Sequence, residues 1–251
     1  RLMHDVVIHL GHCNRTRGAT GTSGIYQGER RSEQAFVKAV GYPLAEELQR
    51  LGIDGVTKLA DESLPRCEVF VALHQDGSTS SSARGSSVGY PSIGQSATLA
   101  NLWKANYALQ GWPSGFRGDN YTKALRNYYG FRRVHADEKF LVEHGFATNA
   151  TDQAWMWGNL DKVIRSHVDT LTQWFGVNPT PLPPASQENN MGVRYEVFDD
   201  PIAKKAWAMW GPIDKPYVDV YSKYVAGGEI VPKGWYGVRD AVAAGTMIQV
   251  G

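Results

Sequence analysis

Four side chains set the chemical question for this chain. His12 follows the apolar run Asp5–Leu10, His74 ends the run Cys67–His74, and Glu143 ends the short run Phe140–Val142; Glu29 stands just past a Gly/Ser/Thr-rich stretch. Imidazole nitrogen and carboxylate oxygen are ordinary zinc ligands, and three protein ligands with one open position is the catalytic form of such a site. His12, Glu29 and His74 are the constellation that fits it. A carboxylate at the end of a buried strand costs desolvation energy unless it is paired or faces a cleft. That makes Glu143 a candidate general acid/base beside the metal.

The elements that must position these groups read as an α/β domain. Asp5–Leu10 and Cys67–His74 are β-branched, apolar strands, and residues 56–60 form a shorter one. The connection from residues 56–60 to Cys67 is short for a right-handed parallel crossover, so those two strands pair antiparallel or only indirectly. Glu29 opens a helical region that carries Phe36, Val40, Leu44, Leu48 and Leu51, with a kink or break at Gly41 and Pro43. A second helix is expected over residues 95–109. A third has Leu160, Val163, Ile164, His167, Val168, Leu171 and Phe175 on one face and Gly176 as its stop. Alternating strands and helices imply a mostly parallel central sheet flanked by helices, and in such sheets ligands bind at the carboxyl ends of the strands.

Residues 178–190, NPTPLPPASQENN, read as a Pro-rich linker. They separate a domain over 1–177 from a small helical or α+β appendage over 191–251. In the appendage Pro201 starts a helix carrying Ala206, Trp207 and Trp210. Its Trp and Tyr residues suit stacking on sugar rings, the core of a very small domain, or self-association.

Composition narrows the partners. A net charge of +1 gives no argument for nucleic acid, and no apolar run approaches the roughly 20 residues of a membrane span. The chain runs straight into a strand without a signal-peptide pattern, and it begins with Arg1 and not an initiator Met, as expected of a processed, trimmed or excised sequence. Cys13 and Cys67 have no CxxC spacing. Cys67 starts the strand that His74 ends, about 20 Å away at 3.3 Å per residue, so two free thiols are expected.

Several motifs together resemble the zinc-dependent N-acetylmuramoyl-L-alanine amidases of the third structural type. They are Gly11-His12, Gly28-Glu29, Ala72-Leu73-His74-Gln75-Asp76, and Val142-Glu143-His144-Gly145-Phe146-Ala147-Thr148-Asn149. The resemblance spans roughly Asp5–Val177. It implies one Zn²⁺ per chain on His12, Glu29 and His74, Glu143 as catalytic acid/base, and peptidoglycan as substrate, cut between the lactyl group of N-acetylmuramic acid and L-alanine. The sequence departs from the family pattern at His9, where an Asp is usual, at Cys13 for Gly, and at Asp76 for Asn. His9 reads as a buried strand residue or a partner of a ligand. His144, Arg132 and Asp76 are substrate-binding candidates, with the alternative that His144 is a loop residue and the adjacent Arg132 and Arg133 a solvated surface. The form resembles a phage endolysin that reaches the wall from the host cytoplasm. A zinc carboxypeptidase on peptide stems and a non-catalytic wall-binding protein are the competing readings.

Overall fold

The computed structural model describes residues 3–15 and 18–177, together with the backbone of residues 198–199 and 206–207. In chain order the elements of the first part are β1 (His4–Leu10), β2 (Ser23–Tyr26), β3 (Glu29–Ser32), α1 (Glu33–Arg50), β4 (Gly55–Leu59), β5 (Cys67–Asp76) and β6 (Ser87–Gly89). They continue with α2 (Ser96–Leu109), α3 (Lys123–Arg126), α4 (Tyr129–Arg133), β7 (Ala136–Phe146), α5 (Ala150–Gly158) and α6 (Leu160–Phe175).

The central sheet has the order β4-β1-β5-β7-β6. The first four strands are parallel, and β6 pairs antiparallel with β7 at the edge, so the sheet is mixed. The short β4–β5 connection resolves as the indirect case: β1 lies between the two strands and hydrogen-bonds to both, all three parallel.

Period-2 alternation sends successive side chains to opposite faces. On one face Val7, Phe70, Ala72 and Leu141 pack with Leu125, Tyr128 and Phe131 from the α3–α4 region. On the other, α1 comes so close at Gly41 that any side chain there would collide with Leu10. Phe36 of α1, Trp103 of α2 and His167 of α6 close around His144 on that face.

Two expectations at α1 are corrected. The helix starts at Glu33, one turn later than Glu29, because residues 23–32 form the β2–β3 hairpin. Gln27 and Gly28 both have positive φ, 51° and 82°, as a two-residue type I′ turn requires. Ser32 then caps the helix, its hydroxyl accepting from the Ala35 amide at 3.1 Å. The helix also runs unbroken through Pro43, whose ring lies among its buried residues.

Val177 is the last described residue before 198, so the linker and all of the proposed C-terminal domain except residues 198–199 and 206–207 lie outside the described residues. Beyond it β8 (Phe198–Asp199) and β9 (Ala206–Trp207) pair antiparallel. Ala206 and Trp207 are thus in a strand and not in the expected helix; aromatic residues are good strand formers. No helix among the described residues is long and apolar enough to cross a membrane.

Candidate metal centre

His12, Glu33 and His74 bring one potential ligand atom each to within 4.8 Å of one another. Three local features place them. His74 occupies the carboxyl-terminal part of β5, and its ring lies against the backbone of Gly11, where a Cβ would fall on the imidazole. The Gly of the Gly-His pair is therefore required by its neighbour across the sheet. His12 has φ 59°, a left-handed conformation rare outside glycine. Glu33 is the first residue of α1, held by the Ser32 cap.

The distances suit a shared cation. His74 Nδ1 lies 3.0 Å and His12 Nε2 3.6 Å from Glu33 Oε1. Donors about 2.0–2.1 Å from a tetrahedral zinc stand about 3.3 Å apart. His12 Nδ1 donates to the Ala19 carbonyl at 2.7 Å, which leaves Nε2 as the lone-pair atom on the cluster side. Glu33 Oε2 accepts from the Thr22 amide at 2.9 Å.

The charge states fit as well. Burial opposes ionisation of Glu33, but the close contact with the His74 ring and the nearby His12 outweigh it and hold the carboxyl below its ordinary range. Burial keeps the His74 imidazole below its ordinary value despite the pull of Glu33. An ionised carboxylate and neutral imidazoles are the forms that bind a divalent metal.

Glu29, the acid expected to complete the set, is elsewhere. It sits exposed at the start of β3, its carboxylate paired with Arg31 at 2.7 Å. The signal that could have found Glu33 was present: Ser32 is a cap residue, and an acid in the first helical turn is the usual sequel.

Glu143 is the register partner of His74 on the adjacent parallel strand, so the two side chains share a face. Its Oε2 is buried and meets no hydrogen-bond donor among the described residues. Burial, then the charges of Glu33 and Asp76, pushes its carboxyl well above the ordinary range. A carboxyl shifted this way beside a ligand cluster has the profile of a proton carrier. Just beyond it β7 gains one residue relative to β5, between the pairs His74↔Glu143 and Asp76↔Phe146. Asn149 then caps α5, its side chain accepting from the Thr151 and Asp152 amides at 3.1 Å. The Glu-x-Gly-Phe-x-x-Asn spacing thus builds a strand end followed by a helix start.

The remaining sequence candidates divide. Asp76 is partly buried and accepts hydrogen bonds from the Tyr121 hydroxyl and from the Gly77 amide. Arg117 stacks over Tyr121 at 4.3 Å, forming a rim that no sequence motif announced. Arg132 is exposed on α4. Arg133 donates to the carbonyls of Ala60, Asp61 and Glu62, so it fastens a loop. His144 cannot meet substrate in this arrangement: it is fully buried on the opposite face, Nδ1 donating to the His74 carbonyl at 2.9 Å and Nε2 2.8 Å from His167 Nε2. Both cysteines are free and buried. Burial pushes Cys13 up to about 11 and Cys67 up to about 12, so neither offers a thiolate.

His9 is fully buried, with Nδ1 3.0 Å from the Tyr128 hydroxyl and Nε2 3.2 Å from the Ala60 carbonyl. The same Tyr128 hydroxyl lies 3.0 Å from His74 Nε2. Burial and the neighbouring His74 bring the His9 imidazole down to about 3, and burial lifts the Tyr128 phenol well above its usual range. Both groups are neutral near pH 7.

No protein-family model matches the chain, and no curated protein sequence does. Solved structures do. The catalytic domain of CwlV, an N-acetylmuramoyl-L-alanine amidase from Bacillus (Paenibacillus) polymyxa var. colistinus, superposes with a TM-score of 0.51 at 21% identity, over 70% of this chain and 99% of that one. The N-acetylmuramoyl-L-alanine amidase AmiC2 of Nostoc punctiforme gives 0.52 at 17% identity, over 69% and 97%. The catalytic domain of an endolysin targeting Clostridia difficile gives 0.51 at 15% identity, over 68% and 97%. At these identities the likeness is one of fold.

Proposed function

We propose that this protein is a zinc-dependent peptidoglycan hydrolase that cleaves the amide between the lactyl group of N-acetylmuramic acid and L-alanine. The observation that carries the reading is the meeting of His12, Glu33 and His74 with Glu143, whose Oε2 has no hydrogen-bond partner among the described residues, at one strand end. The fold shared with the amidases named above supports the choice of substrate.

His12, Glu33 and His74 would hold one zinc, which supplies Lewis-acid polarisation of the scissile carbonyl and a water acidified to near neutrality. Glu143 takes a proton from the attacking water as its oxygen bonds to the carbonyl carbon, then returns it to the alanine nitrogen as the C–N bond breaks. The environment that raises the Glu143 carboxyl brings its proton affinity toward what a base working near neutral pH needs. In this reading Asp76, bonded to Tyr121 with Arg117 stacked over that ring, would meet the peptide stem. In this reading residues 1–177 are the catalytic domain and 191–251 a wall-binding appendage.

A carboxypeptidase would need an arginine free to grip a terminal carboxylate; Arg133 is spent on carbonyls, and Arg117, stacked over Tyr121, is the arginine that would have to do it. Digestion of purified cell walls separates the two. The proposal expects turbidity to fall while new L-alanine amino termini accumulate. Release of a free terminal amino acid without new L-alanine termini would overturn it.

A further inference from the structure

Hydrogen-bond polarity along the path from Ala60 to His74 can be worked out from one end. The Ala60 carbonyl can only accept, and it already takes the Tyr129 hydroxyl and Arg133 Nη1, both at 2.9 Å. His9 Nε2, 3.2 Å from the same oxygen, must therefore carry its proton. A neutral imidazole protonated at Nε2 has only a lone pair at Nδ1, so the Tyr128 hydroxyl donates to it. That uses the single proton of the phenol. The Tyr128 oxygen must then accept from His74, whose Nε2 carries a proton. His74 is left with a lone pair at Nδ1, the atom that faces Glu33 Oε1 at 3.0 Å, and a lone pair facing a carboxylate oxygen at that distance requires a cation between them, as the metal reading of the cluster supplies.

We propose that Tyr128 and His9 are positioning residues that hold His74 in the Nε2–H tautomer, with its Nδ1 lone pair presented to the metal cluster. The inference rests on His12, Glu33 and His74 being the ligand set. Its ground is geometric. Each link is within hydrogen-bond distance, all three groups are buried, and one end is a carbonyl that cannot reverse the direction. His9 is also packed among rings, with Phe70 at 5.4 Å and Tyr129 at 6.0 Å between centroids. The Tyr128 and Tyr129 pair thus divides the work: one hydroxyl anchors the Ala60 carbonyl, the other passes the constraint to His74.

The test is zinc affinity of the full chain by competition with a chromophoric chelator, with cobalt(II) absorption as the spectroscopic readout. His74→Ala serves as the control for the ligand set. Tyr128→Phe keeps the ring and removes the link. It is expected to weaken zinc binding about 10–100-fold and to shift the cobalt d–d bands. His9→Leu spares the hydroxyl but frees its direction, and is expected to shift the same readouts by less. Should Tyr128→Phe fail to fold, His9→Leu carries the test. If the parent binds zinc and His74→Ala does not, yet Tyr128→Phe or His9→Leu matches the parent in affinity and cobalt spectrum, the relay is wrong and the ligand set stands. If the parent takes up no zinc, or His74→Ala keeps it, the ligand set is wrong and the relay falls with it.

Discussion

Glu143 and His144 leave β7 toward opposite faces of the sheet, and the two faces spend polar groups differently. On the His144 side three helices close over the strands. His144 donates to a carbonyl and meets His167, while its ring packs against Phe36 and Trp103. Gln75, the neighbour of His74, turns the same way and contacts Gln153 and Met156 from α5. On the Glu143 side the α3–α4 region covers Phe70 and Leu141, and its Tyr128 ring reaches the His74 ring at 5.2 Å. There His74, Glu33 and His12 converge, and Glu143 keeps an oxygen without a donor. One position along a strand separates a residue packed under three helices from a carboxyl beside the candidate metal cluster.

The largest effect expected on the Glu143 side is loss of the cluster. Glu33→Gln should lose stoichiometric zinc and wall lysis together, whereas Glu29→Gln, out on the hairpin, should match the parent in both; metal analysis of the two proteins checks this. Glu143→Gln should keep its zinc and thermal stability but lose on the order of 10²–10⁴ in rate, the usual cost of removing a positioned general base. A Glu143→Gln protein as active as the parent would remove the distinction between the faces. His144→Ala should do the reverse. It leaves the His74 carbonyl and His167 unpaired, which costs about 1–3 kcal/mol for a buried group, so denaturant unfolding should show lower stability with the zinc content unchanged. The smallest expected effect is at the cysteines. Both thiols should titrate as free in denaturant without reductant, and blocking them should not release zinc.

This comparison also marks how far the sequence could be read. The continuous apolar runs of β1, β5 and β7 are plain, and so is the helical spacing of α2 and α6, because burial on both faces of a strand or on one face of a helix selects apolar residues. The same apolar runs locate His12, His74 and Glu143 at strand ends. The runs do not say which face is closed by helices, so His144 looked as available as Glu143. Glu29 misled for a local reason: the Gln27-Gly28 turn converts an apparent helix start into a hairpin and moves the useful acid to Glu33, one helical turn on. Tyr128 had no signal, since its role depends on a carbonyl 68 residues earlier in the chain. The departure at His9 was visible, but its meaning required the hydroxyl of Tyr128 to be placed against it.

One metal ion is expected among His12, Glu33 and His74. Crystals of the full chain grown with zinc, with diffraction collected on both sides of the zinc absorption edge, test it most directly. The account predicts a single anomalous peak per chain, bounded by His12 Nε2, Glu33 Oε1 and His74 Nδ1, with Glu29 remote from it. No peak at that cluster, or a peak bound by Glu29 or by His74 through Nε2, would contradict it.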